Sequence, residues 1–423
     1  MDVQAYLAQQ ETKELLRFVA VGSVDDGKST LIGRLLHDSH GIYDDQLSAV
    51  ARASKTRGSA GGKLDLALLT DGLRAEREQG ITIDVAYRYF ATDRRKFIIA
   101  DTPGHVQYTR NMATGASTAN VALILIDAHQ GVLKQSRRHA YIASLLGIPH
   151  LCVCVNKMDL VEYRQDVFEA IKHDFETFAA RLRFREVRFV PISAVEGDNV
   201  VNASERMRWY RDETVLGYLE RVPVSGDRNL SHFRYPVQLV LRPDLHYRGF
   251  AGQIASGVVH VGDDVTVLPS GKRSTVAHLD TFEGEVDEAF APMSIAIRLA
   301  DEIDVSRGDM IVHTGNLPMV ARRFEAQLVW MNERPLELGK SYFLKHTTRL
   351  VRASVEAVSG RLDVDTLGEQ PASTLELNDI GRVVVSCNQP LYLDPYARNR
   401  EVGAFVIVDA LTNNTMGAGM IVE

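Results

Sequence analysis

Three short stretches hold side chains and backbone suited to gripping a phosphorylated ligand with a divalent cation. Residues 22–29 read GSVDDGKS, the GxxxxGK[ST] spacing of a phosphate loop. Gly22 and Gly27 let the backbone come close to phosphate oxygens, and successive N–H groups with a following helix N-terminus attract negative charge. Lys28 would lie over the β and γ phosphates, Ser29 would ligate Mg2+, and Asp25 and Thr30 flank these groups in the loop. Residues 101–105 read DTPGH. Asp101 is placed to hold the metal, the Gly104 N–H to meet a γ-phosphate oxygen, and His105 to orient an attacking water. Thr82, within REQGITI, offers a second hydroxyl to the metal.

A further pair of loops would choose the base. Residues 156–159 read NKMD. The Asp159 carboxylate can accept from guanine N1–H and the 2-amine, whereas adenine would leave it unpaired, a preference on the order of 10^4. The Lys157 stem can lie along the base plane, and Ser193–Ala194 can add a backbone N–H to guanine O6. Asn156 opens this loop. The expected ligand is therefore GTP with Mg2+, and Lys28, Thr82 and His105 are the expected catalytic groups.

These loops need strands that end together. Apolar runs over 15–21, 96–100, 121–126, 148–155 and 187–192 predict strands, alternating with helical patterns over 28–36, 108–118, 135–146 and 166–183. Such alternation predicts a mostly parallel sheet with helices on both faces, whose ligands bind at the carboxyl ends of the strands. The polar stretch 38–82 reads as a switch insertion that orders with ligand. Near residue 232 the texture changes to apolar–polar alternation with frequent turn signals. Strands are predicted over 235–241, 294–299, 309–313, 322–331, 347–358, 382–387 and 404–411, with a boundary at the loop 314–318. Two antiparallel β-barrels follow, since closure removes exposed strand edges. The expected division is 1–228 for the nucleotide domain, 229–317 for the first barrel and 318–423 for the second.

Composition narrows the class. With 48 Lys plus Arg against 55 Asp plus Glu, the net charge of −7 gives no broad attraction to nucleic acid. Three cysteines imply no disulfide framework, and Cys152 and Cys154 read as small buried apolar groups. Neither a signal peptide nor an 18-residue apolar run is present, so a cytoplasmic location is expected.

On these motifs the chain resembles the translational class of GTPases, relatives of elongation factor Tu and elongation factor 1-alpha. Within that class it looks most like the CysN-type GTPase subunits of bacterial ATP sulfurylase (sulfate adenylyltransferase). That likeness rests on SVDDGKSTLIGRLLHDS at 23–39, TDGLRAEREQGITIDVAYRYF at 70–90, DTPGHVQYTRNMATGASTA at 101–119 and TNNTMGAGMI at 412–421. Elongation factors look like GHVDHGKST in the phosphate loop, where this chain has Asp25–Asp26 and Ser23. The resemblance implies a G domain followed by two barrels, and an apolar gate of Val24 and Ile81 restraining His105. It implies hydrolysis of GTP coupled to synthesis of adenosine 5'-phosphosulfate on a small catalytic partner, in a heterodimer or higher assembly. Some such proteins continue into an adenylylsulfate kinase domain, whereas this chain reaches Glu423 without a second phosphate loop. The competing expectation is a factor of the same fold that binds tRNA or the ribosome.

Overall fold

The structure, a computed structural model, describes residues 13–39, 66, 85–102, 109–224, 229–244, 247–363 and 366–422. Contacts group the chain into two units, Met1–Asp227 with Val364–Thr366, and Arg228–Asp363 with Leu367–Glu423.

The first unit contains β1 (Leu15–Val21), α1 (Lys28–Asp38), β2 (Ala86–Ala91), β3 (Lys96–Asp101), α2 (Thr109–Ala116), β4 (Val121–Asp127) and α3 (Lys134–Leu145). These are followed by β5 (His150–Asn156), α4 (Gln165–Ala179), β6 (Glu186–Pro191) and α5 (Val215–Arg221). The strands form one sheet in the order β2-β3-β1-β4-β5-β6. All pair in parallel except β2, which runs antiparallel to β3 at the edge. Every residue of β4 and β5 is buried, as Val- and Ile-rich strands covered on both faces should be. Cys152 and Cys154 lie in this core as free thiols. Because β1 sits between β3 and β4, the connections diverge at its carboxyl end and open a crevice there.

The sequence reading missed β2 and α5. Residues 86–91 carry Tyr87 and Tyr89 on an exposed side, so the half-buried edge strand lacks the apolar run of its neighbours. The insertion 38–82 lies outside the described residues beyond Ser39, apart from Leu66. That buried leucine lies against Gly33 of α1, where a Cβ would come within 2.2 Å of the Leu66 carbonyl oxygen.

The second unit is built from strands: β7 (Arg234–Leu241), β8 (Gly249–Gln253), β9 (Val258–His260), β10 (Asp264–Leu268), β11 (Lys272–Thr281), β12 (Gly284–Val286), β13 (Glu288–Phe290), β14 (Ser294–Leu299) and β15 (Met310–His313). Then come β16 (Met319–Trp330), β17 (Tyr342–His346), β18 (Arg349–Leu362), β19 (Glu369–Gln370), β20 (Ile380–Leu393), β21 (Ala404–Val408) and β22 (Thr415–Ile421). The strands β17-β21-β22-β16-β20-β18 close on themselves through a β17–β18 pairing, giving a six-stranded antiparallel barrel. An earlier antiparallel sheet runs β10-β15-β7-β8-β14-β11-β12, with β10 also paired to β11. The strand expected from residue 347 starts two residues later, because Thr347 has a positive φ of 49° in the turn after β17.

A buried polar seam joins the two sheets. Arg234 of β7, 2% exposed, donates to Asp394 from Nε at 2.9 Å and from Nη2 at 3.1 Å. Its remaining donors reach the carbonyls of Phe233 and Asn316 and the Asn316 side chain. All the guanidinium donors are thereby satisfied, which is what burial of a charge requires.

Candidate nucleotide-binding site

Each predicted motif in the described residues sits at the carboxyl end of a parallel strand. The loop after β1 turns through Asp25 (φ 64°) and Gly27 (φ 91°) into α1. Gly27 caps that helix in the left-handed conformation, and the first in-helix bond runs from Leu31 N–H to the Gly27 carbonyl at 2.9 Å. The amides of Lys28, Ser29 and Thr30 precede it and have no acceptor within the helix, so they are available to an anion. A side chain at Gly27 is excluded as well by its neighbour, since a Cβ would stand 2.4 Å from Asn156 Nδ2.

Lys28 is buried and spans the loop, donating from Nζ to the carbonyls of Gly22 at 3.0 Å and Ser23 at 2.7 Å. Burial lowers its pKa, while Asp26, Asp101 and Asp25 act against that and favour the ammonium. Asp101 ends β3 with its side chain buried, close enough to Lys28 for their charges to interact. Thr102 donates to the Ala20 carbonyl at 2.8 Å and ties this strand end to β1. Thr82, Ile81, Gly104 and His105 lie outside the described residues, and Val24 is exposed on the phosphate loop.

Asn156 is the bracket between the two halves of the site. Its Nδ2 donates to the Asp26 carbonyl at 2.7 Å, and its Oδ1 accepts from the Ala194 amide at 3.0 Å. One side chain thus fixes the phosphate loop and the base loop together. Asp159 accepts from Ser193 Oγ at 2.6 Å, and the same hydroxyl accepts from the Glu196 amide at 3.2 Å. Ser193 and Ala194 are both buried. The Ala194 amide, expected to meet guanine O6, is here engaged by Asn156 Oδ1 and would reach a base only by sharing or shifting that bond, while Asp159 is held by Ser193.

Three further residues belong to this region and were missed in the sequence. Asp127, at the end of β4, binds Lys157 Nζ at 2.8 Å and accepts from the His129 amide at 2.8 Å. Burial alone would raise its pKa, but the Lys157 and His129 hydrogen bonds outweigh it and hold the carboxylate below its usual range. This pair ties the Lys157 ammonium to the end of β4, and Lys157 has a left-handed φ of 61°. An acidic residue closing an apolar run, as in VALILID, was the available signal, the same one that marked Asp101 in KFIIAD. Asp26 is the second. Its Oδ2 accepts from the Ser23 amide, and burial pushes its carboxyl up to about 6 against the pull of Lys28. His139 of α3 is the third, fully buried, with its pKa driven down to about 3 by burial first and then by Lys28 and Arg138, so it stays neutral.

A loop of amides and a buried lysine beside an aspartate, joined by one asparagine to the turn whose serine holds a second aspartate, can hold a nucleoside triphosphate from both ends. Known proteins agree. Residues 13–239 match the family described as Elongation factor Tu GTP binding domain, and residues 323–422 match GTP-eEF1A C-terminal domain-like. Sulfate adenylyltransferase subunit 1 of Cellvibrio japonicus is 57% identical over 422 residues, covering all of this chain and 89% of that protein. The protein of the same name from Bacteroides fragilis is 54% identical over 423 residues, again 100% and 89% of the two chains. The bifunctional enzyme CysN/CysC of Rhodopirellula baltica is 56% identical over 424 residues, 100% of this chain and 66% of that one. With this identity along its full length and a GTP-binding domain over its first half, the chain belongs to the sulfate adenylyltransferase subunit 1 family.

Proposed function

We propose that this chain is the GTP-hydrolysing subunit of a sulfate adenylyltransferase, working with a separate small catalytic subunit. There, GTP hydrolysis is coupled to the uphill formation of adenosine 5'-phosphosulfate and pyrophosphate from ATP and sulfate. The observation that carries this reading is the Asn156 bracket, which joins a phosphate loop to the turn whose Ser193 holds Asp159, in a chain 57% identical to a sulfate adenylyltransferase subunit 1. An adenylylsulfate kinase, suggested by the likeness to a bifunctional CysN/CysC enzyme, is a further partner of the same assembly. The cytosol is the compartment proposed for it.

In this reading Gly22, Asp25, Gly27 and the amides through Thr30 wrap the phosphates, and Lys28 sets its charge over the β and γ groups. The donor set fits Mg2+, because the Ser29 hydroxyl, the buried Asp101 carboxylate and Thr82 are hard oxygen ligands. Bound there, Mg2+ neutralises charge growing on the β and γ phosphates. His105 orients a water whose oxygen bonds to the γ phosphorus as the bond to the β–γ bridging oxygen breaks. GDP and inorganic phosphate leave. Gly104 reports the γ-phosphate to the segment that follows it, and the insertion 38–82 with residues 101–119 conveys its loss to the partner. Asn156, Lys157, Asp159, Ser193 and Ala194 read the base. The sheet around β7–β15 is taken as a second barrel, supported by its β10–β11 pairing, with domains at 1–228, 229–317 and 318–423.

The test is GTP turnover by this chain mixed with a catalytic ATP sulfurylase subunit, with and without ATP and sulfate. Stimulation by both substrates together is expected, and a rate indifferent to them would remove the coupling. His105→Ala should lower turnover while GTP binding stays intact; an unchanged rate would take the water-orienting role from His105.

A further inference from the structure

Arg34 lies on α1, the helix whose N-terminus forms the phosphate site, yet its side chain is committed to the base loop. Its Nε donates to the Ala194 carbonyl at 3.1 Å, and Nη2 donates to the Val195 carbonyl at 2.5 Å. Asp38, one helical turn on, stands 3.6 Å from Nη1, and both side chains are 18% exposed. Gly197, whose φ of +86° favours glycine, lies beside this pair, and a Cβ there would make only ordinary contact with Arg34 Cδ and Asp38 Oδ2 at 3.6 Å. The loop is a tight turn, closed by the Gly197 amide on the Ser193 carbonyl at 2.7 Å. From the end of β5 it is held by Asn156 through the Ala194 amide, and from α1 by Arg34 through the Ala194 and Val195 carbonyls.

We propose that Arg34 is a positioning residue for base recognition: it grips the Ala194 and Val195 carbonyls so that the turn keeps the Ala194 backbone placed for guanine O6 and the Ser193 hydroxyl placed to orient Asp159. The inference rests on the guanine-nucleotide reading given above. A guanidinium suits the task because its planar fork meets two neighbouring carbonyls at once, whereas an ammonium is a point donor on a flexible stem. The consequence is a frame in which the helix that binds phosphate and the turn that binds base are fastened directly, and not only through Asn156.

The test compares Arg34→Met and Arg34→Lys with the parent chain, using affinities for GTP, GDP and 2,6-diaminopurine riboside triphosphate. The last carries an amine where guanine has O6 and an acceptor where guanine has N1–H, so a donor placed for O6 and the Asp159 carboxylate, both held by this turn, reject it. In Arg34→Met the preference for GTP over the diaminopurine triphosphate should fall by about tenfold or more, equivalent to about 1.4 kcal/mol, while the GTP-to-GDP ratio stays unchanged. Arg34→Lys, which keeps the charge and stem, should fall between and serves alone if the methionine variant does not fold. Equal losses for all three nucleotides, or an unaltered preference in the variants, would reduce Arg34 to a structural tie and overturn the proposal. Equal binding of GTP and the diaminopurine triphosphate by the parent chain would instead overturn the base-reading site itself.

Discussion

Asp26 gives the sharpest quantitative expectation, because it is a carboxyl buried inside a loop built for anions. It is 1% exposed, it accepts from the Ser23 amide, and its second oxygen, Oδ1, is buried without a hydrogen-bond partner among the described residues. Burial raises its pKa from 3.8 to about 6, with Lys28 pulling the other way. Because the folded value lies above the unfolded one, the folded protein holds this proton more tightly. The stability this supplies is full below pH 3.8 and is lost as the pH rises through about 6. A gap of about 2.2 units at 1.36 kcal/mol per unit amounts to about 3 kcal/mol. Asp26→Asn keeps an acceptor for the Ser23 amide and removes the charge. It also deprives Lys28 of an attractive neighbour, so the net gain at pH 8 should be nearer ~1–2 kcal/mol. Hydrogen exchange of peptides from β1 and β4, in parent and variant without nucleotide, reads the difference at each pH. The advantage of the variant should be full at pH 8, shrink between pH 6 and 4, and vanish below. An advantage that did not change with pH, or a variant less stable at pH 8, would refute the assignment of a strained carboxylate to this loop.

Asp159→Asn should cut GTP affinity by about tenfold to a hundredfold, the scale of a lost hydrogen bond to a charged group, and raise affinity for xanthosine triphosphate; competition binding reads both, and an unmoved preference removes Asp159 from base selection. Gly27→Ala forces a Cβ to 2.4 Å from Asn156 Nδ2 at a φ of +91°. Backbone strain there of about 1–3 kcal/mol should weaken GTP binding at least tenfold by titration calorimetry, and parent-like binding would show that the loop adopts another form. Asp394→Ala strands the Arg234 guanidinium, 2% exposed, without its carboxylate. A loss of about 3–5 kcal/mol is expected, followed in urea by fluorescence of Trp330, which is buried in the same unit; an unchanged midpoint would mean that the seam between the sheets contributes nothing.

Local spacing determined much of this protein. GSVDDGKS, the aspartate of DTPGH and NKMD are each contiguous, and each ends an apolar run, so the order of loops and their shared edge of a parallel sheet follow from periodicity and the geometry of crossover connections. The long strands of the second unit were legible for the same reason, as alternation with a period of two marks a half-buried strand. Tertiary structure decided the rest. That Asn156 joins Asp26 to Ala194, that Asp127 captures Lys157 and that Arg34 reaches Ala194 are contacts across 130, 30 and 160 residues. No local pattern encodes them, because a hydrogen bond depends on where two backbones meet and not on how far apart they lie in the chain. Burial of Asp26 and His139 was hidden likewise: Asp25 precedes the one and Arg137–Arg138 the other, and only the packed sheet and helices remove them from water.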